Sequence, residues 1–272
     1  MSKDNTHIPM INELNTVNRE NGMTRILEVV PYDMNWPQIF KAEAALLQNA
    51  LGDNCIAVHH IGSTSIPGLA AKPIIDIMPV VKYLSKIDDR KLIALAYTPR
   101  GEMGMPFRRF YNKGEPQRTH HVHIWENGNP EIQKHLLFKK YLISHPEMVA
   151  KYAELKFKLS AEFGTDRKKY TELKDALIKE IVQKSEFSGL TMVQANLPAE
   201  WQAYEKILQV ENPVISDNDF HLVLMHGVNI VGAAHIEKNS TMKIISLRCD
   251  NSVLEDYMRA TLEQWIKSIV NE

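Results

Sequence analysis

The sequence predicts an α/β protein in which a mixed (α+β) sheet with flanking helices is followed by a smaller α/β unit. Short segments such as CIAVHHI and HHVHIW have the composition and alternation typical of strands. Other segments, such as PQIFKAEAALLQNAL, repeat their apolar residues at helical spacing. The pattern of strands and helices starts again after Ser188-Gly189, so we expect a domain boundary near residue 188.

The composition indicates a globular protein without a highly charged partner. The 272 residues suffice for one large domain or two ordinary ones, and 44% of them are hydrophobic. The net charge of −1 gives no reason to expect a nucleic-acid or membrane partner. Cys55 and Cys249 are far apart and form no disulfide framework, and residues 1–22 lack the apolar core of a signal peptide. We therefore expect a cytoplasmic protein.

The predicted elements follow a polar leader at residues 1–25. The first domain, at residues 26–187, begins with a helix from about Trp36 that has Asn35 as its N-cap. Its predicted strands are CIAVHHI, PIIDIMPVV, FRRFYNK and RTHHVHIW. Three more helices follow, opened by Asn129-Pro130, by a capping box at Ser144–Glu147, and at about residue 166. The second domain is predicted at residues 188–272.

An aspartate in the middle of an apolar strand is the first candidate site residue. In PIIDIMPVV, alternation places Asp76 on the same face as Met78, and a buried carboxylate is costly without a partner. A turn of small residues precedes this strand, and backbone amides in such a turn bind anions. In one interpretation Asp76 binds a metal ion beside a phosphate, which is held by Gly62, Ser63, Thr64 and Lys72. In the other, the glycines only shape a turn and Asp76 pairs with a nearby Arg or Lys.

A histidine-rich strand supplies the second set of candidates. Alternation places His121 and His123 on one face, where imidazoles could bind a metal ion, pair with a phosphate or transfer a proton. Arg109 and Tyr111 share a face of the preceding strand, and would add a cation and a phenol if that face is the one His121 occupies. His60, ahead of the Gly-Ser turn, is a further candidate. The alternative is a solvated, histidine-rich edge strand.

Four motifs in order resemble the GrpB family across residues 26–185. They are VVPYDMNWPQIF, HIGSTSIPGLAAKPIIDI, RTHHVHIW and HLLFKKYLISHPEMVAKYAELK. The resemblance implies a nucleotidyltransferase-like domain with a mixed sheet. Active members of that superfamily bind a nucleoside triphosphate through a Gly-Ser motif. They hold two divalent metals with an Asp-x-Asp pair and a third carboxylate on a neighbouring strand.

The residues here match that arrangement only in part. Gly62-Ser63 matches the Gly-Ser motif and Asp76 the first carboxylate, but Met78 occupies the second carboxylate position. His121 and His123 stand where the third carboxylate is expected. One Asp and two His suit zinc, manganese or iron better than magnesium. The resemblance therefore implies a divalent metal, a nucleotide or another small phosphorylated ligand, and either phosphoryl or nucleotidyl transfer or ligand binding without turnover.

The order strand, helix, hairpin, strand, helix at residues 190–272 is similar to the GNAT acetyltransferase fold. In that fold a glycine-containing turn holds the acetyl-CoA pyrophosphate, whereas the equivalent stretch NSVLEDYMRA has no glycine. Glu255 and Asp256 there would also repel a pyrophosphate. We expect a degenerate GNAT-like domain that packs or regulates, and acetyl-CoA-dependent transfer is the remaining alternative.

Overall fold

A computed structural model describes residues 27–216 and 218–270 of the chain, and the predicted leader at residues 1–25 lies outside them. The described residues divide into two compact units, one of residues 27–191 with 226–228 and one of residues 192–225 with 229–270. The predicted α/β class with a mixed sheet is confirmed. Compactness alone does not establish independent folding, so the predicted domain boundary near residue 188 stays a prediction.

The first unit is built on a five-stranded sheet with helices on both faces. Its helices are α1 Trp36–Leu51, α2 Asp89–Ile93, α3 Pro130–Ser144, α4 Pro146–Phe163 and α5 Arg167–Lys184. Its strands are β1 Cys55–Ile61, β2 Ile75–Val81, β3 Tyr97–Pro99, β4 Arg109–Lys113 and β5 His120–Glu126. The strand order is β1-β2-β5-β4-β3. The β2–β5 pair is parallel, and the other neighbours in this sheet are antiparallel.

Apolar side chains cover both faces of this sheet and determine which polar residues remain for a site. On one face, Ile77 and Val122 pack with Leu47 of α1 in a cluster that excludes water. On the other face, Met78 and Trp125 form a smaller cluster with Ile61, against which Ile132 and Leu136 of α3 pack. Asp76 precedes Met78 on this second face, so the face that α3 covers also carries the candidate carboxylate.

The predicted N-cap Asn35 precedes α1, but its side chain makes no capping hydrogen bond and instead donates to Asp33 Oδ1 at 2.9 Å. The later helix starts confirm one predicted opening and correct one predicted cap. The side chain of Asn129 accepts a hydrogen bond from Glu131 N at 2.9 Å, as expected of an N-cap. The predicted capping box at Ser144–Glu147 is wrong. Ser144 is the last residue of α3, and its hydroxyl donates to the Lys140 and Tyr141 carbonyls instead of capping α4. The two helices are joined too closely for Ser144 to serve the second one.

The second unit has the predicted order of elements. They are β6 Leu190–Gln194, α6 Pro198–Leu208, β7 Asp219–His226, β8 Asn229–Lys238, β9 Met242–Cys249 and α7 Ser252–Val270. The strands form a sheet in the order β6-β7-β8-β9. Trp201 and Tyr204 of α6 pack on Val223 and Ala233 in its core. The GNAT-like assignment stays a prediction. Among the described helices, none combines the length and the apolar character that crossing a membrane requires.

Candidate functional site

Asp76, His121 and His123 converge at the centre of the first sheet. In the parallel β2–β5 pair, Asp76 lies opposite His121, and alternation puts His123 on the same face. Asp76 Oδ1 is 3.2 Å from His121 Nδ1 and 3.7 Å from His123 Nε2. One ligating atom from each residue lies within 4.8 Å of the other two, a spacing compatible with a single metal ion.

The turn after β1 presses its backbone against this carboxylate. Ile61, the last residue of β1, pairs with Asp76, so Gly62 follows directly beside it. Gly62 has φ +65° and ψ −171°, a conformation that is nearly restricted to glycine. A β-carbon at Gly62 would lie 2.3 Å from Asp76 Oδ2. The sequence of the turn therefore brings Ser63 next to the aspartate without a side chain between them.

A buried lysine and a partly buried lysine from the helices complete the site. Lys156 of α4 donates to Ser63 Oγ and, at 3.0 Å, to the Ala70 carbonyl. It is 3% exposed, and burial together with the charge of Lys174 lowers its pKa well below the ordinary value. Burial also lowers the pKa of Lys174, on α5, to about 8, although the charge of Asp76 partly offsets this. Both ammonium groups thus interact electrostatically with Asp76.

Lys72 and Lys174 share an aromatic neighbour. The Lys72 Nζ lies 5.0 Å, and the Lys174 Nζ 4.8 Å, from the centre of the Tyr170 ring. A ring face attracts a cation and holds it without neutralising its charge. The predicted phosphate ligand Lys72 is therefore placed near Lys174, which belongs to the segment DRKKYTELKDALIKE, whose charge pattern is typical of a solvated helix face.

Arg108 fixes the state of His123. Its Nη1 lies 3.3 Å from His123 Nδ1, while its other nitrogens donate to the carbonyls of Glu102 and Met103. Because a guanidinium only donates, His123 Nδ1 must accept, and the imidazole proton resides on Nε2, facing Asp76. In this arrangement the Nε2 proton of His123 points towards the Asp76 carboxylate. Binding of a metal at Nε2 requires Arg108 to release Nδ1.

The pKa shifts of the site residues indicate their protonation states at neutral pH. Partial burial raises the pKa of Asp76, but hydrogen bonds from His121 and His123 outweigh it and hold that pKa below the ordinary value. Burial lowers the pKa of His123 against the opposing effect of Asp76. His135 of α3, whose ring lies 6.3 Å from that of His123, has its pKa lowered to about 4 by burial. At neutral pH the site therefore contains a carboxylate at Asp76 and neutral imidazoles at His123 and His135, the forms that bind metal ions.

The predicted contribution of Arg109 and Tyr111 to this face is wrong. They lie opposite Ile124 and Val122 in the β4–β5 pair, and so project from the other side of the sheet. Tyr111 is buried there and donates to Asp89 Oδ1 at 2.7 Å. The cations on the face of His121 and His123 come instead from Arg108, just before β4, and from the helices.

His60 and Thr64 form a separate pair beside α1. His60 Nε2 lies 3.0 Å from Thr64 Oγ1, and its ring stacks on Phe40 of α1 at 4.6 Å. Burial and the nearby charge of Lys139 lower the pKa of His60 to about 4. Both residues are buried, as expected of a hydrogen bond that joins β1 to the turn and stabilises the fold.

A pattern in the sequence could have revealed the two helix lysines. Lys156 follows Val149 and Tyr152, and precedes Leu159, at helical spacing on the buried side of α4. In the same way Lys174 lies between Tyr170 and Leu177 on α5. A lysine within the apolar stripe of a helix indicates a cation on the buried face, even where the surrounding segment is highly charged.

Comparisons with known proteins show what this chain is similar to. The family model described as "GrpB protein" matches residues 26–184. The UPF0157 protein YqkA of Bacillus subtilis is 44% identical over 157 residues, which are 57% of this chain but 46% of YqkA. The UPF0157 protein PA4798 of Pseudomonas aeruginosa is 38% identical over 167 residues, covering 58% of this chain and 67% of that protein. This chain therefore matches less than half the length of YqkA.

A solved structure is similar to more than half of this chain. The crystal structure of conserved protein GrpB from Enterococcus faecalis superposes with a TM-score of 0.56 and 40% sequence identity. The match covers 58% of this chain and 96% of that one. The similarity thus extends over nearly the whole of the smaller protein.

Proposed function

Because the chain belongs to the GrpB family, we propose that its first unit binds a phosphorylated nucleotide beside a divalent metal ion and transfers a phosphoryl or nucleotidyl group. One observation carries the proposal. Asp76 lies beside His121 and His123, its carboxylate contacts the Gly62 turn, and it interacts electrostatically with buried Lys156 and partly buried Lys174. Metal ligands and anion-binding groups are therefore combined around a single carboxylate.

The lysines support a phosphorylated ligand. A buried ammonium is costly unless an anion or several acceptors compensate it. The hydrogen bonds that Lys156 donates go to neutral acceptors, Ser63 Oγ and the Ala70 carbonyl. A phosphate placed at the Gly62–Ser63 turn would bring a negative charge to Lys156 and Lys174 and would accept from backbone amides of the turn.

The histidines support a metal of the zinc, manganese or iron class. Two imidazoles and one carboxylate form a mixed nitrogen and oxygen set that magnesium does not prefer. The Nε2 atom of His121 is buried and, among the described residues, has no hydrogen-bond partner. When bound, such a metal would polarise a phosphoryl oxygen as a Lewis acid. His123 would supply the second imidazole once Arg108 releases its Nδ1 and the ring proton resides there instead of on Nε2.

A second candidate function is ligand binding without turnover. Met78 stands where a second carboxylate would be needed for two metals, and it is fully buried between Ile61 and Trp125. A thioether held in an apolar cluster supplies no ligand for a second hard cation. If two metals are needed for transfer, this site retains recognition alone.

Calorimetry of the full chain with ATP and with Zn²⁺ or Mn²⁺ tests both functions. We expect metal binding to be lost in Asp76→Asn and retained in Asp53→Asn, since Asp53 is exposed on the turn after α1. Nucleotide affinity should fall about tenfold or more in Lys156→Met but not in Lys158→Met, an exposed position on the same helix.

Phosphate or pyrophosphate release, followed by ³¹P NMR, then separates the two. Metal-dependent release that disappears in Asp76→Asn supports transfer. Binding without release supports the recognition module. If neither ATP nor a metal binds the wild-type chain, both functions are excluded for these ligands.

A further inference from the structure

We propose that the second unit holds its own divalent cation, of the zinc class, between Asp219, His221 and His235. Asp219 and His221 are two positions apart on β7 and therefore share a face of the strand. His235 comes from the neighbouring strand β8. One ligating atom from each lies within 4.8 Å of the other two. The inference is independent of the function proposed for the first unit.

One ligand-atom distance already agrees with what a zinc-type ion requires, and the others need a small adjustment. Zinc lies about 2.0–2.2 Å from nitrogen and oxygen ligands, so neighbouring ligand atoms of a tetrahedral site are roughly 3.3 Å apart. His235 Nε2 is 3.3 Å from Asp219 Oδ1. The rings of His221 and His235 are nearly parallel, with centres 4.9 Å apart. Binding therefore requires His235, the more exposed of the two, to turn about its Cβ–Cγ bond.

His221 has an unsatisfied nitrogen in this cluster. The residue is 1% exposed, and its Nδ1 lies 2.9 Å from Tyr204 Oη. Its Nε2 is buried and makes no hydrogen bond of good geometry among the described residues, although a weaker contact of the ring with the Val214 backbone opposes the lowering of its pKa. A buried polar atom without a good partner destabilises the folded state. With Nδ1 donating to Tyr204, Nε2 presents a lone pair, and a cation would satisfy it.

The carboxylate is oriented by a second contact. Ser216 Oγ donates to Asp219 Oδ2 at 2.7 Å, which leaves Oδ1 directed towards His235. Partial burial raises the pKa of Asp219, but the hydrogen bonds from Ser216 and His235 outweigh it and lower that pKa. Burial, with the nearby His235, lowers the pKa of His221 to about 4. An ionised carboxylate and a neutral buried imidazole are the forms that ligate zinc.

The simpler account is a histidine–aspartate pair that only joins β7 to β8. That account leaves His221 Nε2 unexplained, and it predicts no dependence on metal. The side chains of Asp219 and His235 are 13% and 26% exposed, so an ion can reach the cluster from solvent. A bound cation would link the two strands, and it would raise the free energy of unfolding by an amount that grows with the logarithm of its affinity.

The test uses the full chain with its first centre disabled by Asp76→Asn and His123→Gln. Co²⁺ is added in equilibrium dialysis, and bound cobalt is measured by elemental analysis and by its visible d–d absorption. We expect one equivalent of cobalt in this background. Adding His235→Gln should lower the affinity about tenfold or more, whereas His226→Gln, exposed at the end of β7, should leave it unchanged.

Further variants keep the outcome decisive. Tyr204→Phe should weaken cobalt binding while preserving the absorption bands, because it removes a positioning contact and not a ligand. If His235→Gln does not fold by circular dichroism, Asp219→Asn serves in its place. The proposal is overturned if the background variant binds no cobalt, or if the cobalt it binds is unaffected by loss of His235 or Asp219.

Discussion

Gly62 and Asp76 are in contact so close that no side chain fits between them. A β-carbon on Gly62 would lie 2.3 Å from Asp76 Oδ2 and 2.9 Å from Asp76 Cβ. The backbone of the turn and the carboxylate of β2 therefore form one rigid wall of the site. Any ligand that the turn amides hold must lie next to the aspartate.

Gly62→Ala should separate this contact from the cost of backbone strain. Gly52 is the matched control, because it has a similar positive φ of +55° but a β-carbon there would meet no atom within 4 Å. Each alanine should lower the free energy of unfolding by about 1–3 kcal/mol. Only Gly62→Ala should also weaken metal binding, about tenfold or more, because it displaces Asp76. Urea denaturation and calorimetry measure the two effects, and equal metal affinities in both variants would contradict the prediction.

Lys174 should make nucleotide binding depend on pH. Its pKa is lowered to about 8 by burial, so it is charged below that pH and loses its charge above it. A bound phosphate favours the charged form, and phosphate esters are already fully ionised here because their second pKa is about 6. ATP affinity should therefore be highest below pH 8 and fall as the pH rises through 8, by at most about tenfold per pH unit.

Calorimetry from about pH 7 to about pH 10 checks this dependence. In Lys174→Met the inflection near pH 8 should disappear and affinity should be low throughout. Lys168→Met, at an exposed position of the same helix, should retain the wild-type profile. An inflection that persists in Lys174→Met would assign the titration to another group.

Thr64→Val should affect stability and leave the site intact. Valine has the shape of threonine without the hydroxyl, so the buried His60 Nε2 would lose its partner at 3.0 Å. We expect the free energy of unfolding to fall by about 1–3 kcal/mol. Thr98→Val, exposed on β3, should change it little. Loss of ATP binding by a folded Thr64→Val variant would instead support the sequence-based prediction that Thr64 binds phosphate.

The alternation of strand residues explains which residues of the candidate site could be predicted from the sequence. It put His121 and His123 on one face and Asp76 inside a strand, and both follow from the two-residue repeat. It could not assign the face of β4, because that depends on the hairpin register. The register is set by the turn between Lys113 and His120. Arg108 was missed for the same reason, since it precedes the strand and follows Phe107, whose φ is +64°.

Tertiary contacts explain the elements that the sequence did not show. β3 spans three residues, Tyr97–Pro99, and exists only because β4 pairs with it. Such a short edge strand has too few residues for a periodic pattern. The contacts of Lys156 with Ser63 and the Ala70 carbonyl likewise depend on how α4 packs over the Gly62–Ser63 turn, and the apolar spacing on α4 does not reveal these partners.

The parallel pairing of β2 with β5 has a consequence for how the protein is made. Asp76 and His121 are 45 positions apart in the chain, yet they face each other in the middle of the sheet. Bringing such distant segments together carries a loop-closure cost and tends to be a late event in folding. A nascent chain in which β5 has not yet been synthesised contains the aspartate and the glycine turn but neither histidine partner. The three residues therefore come together only after β5 has paired with β2. A metal that needs all three ligands would bind only after this step.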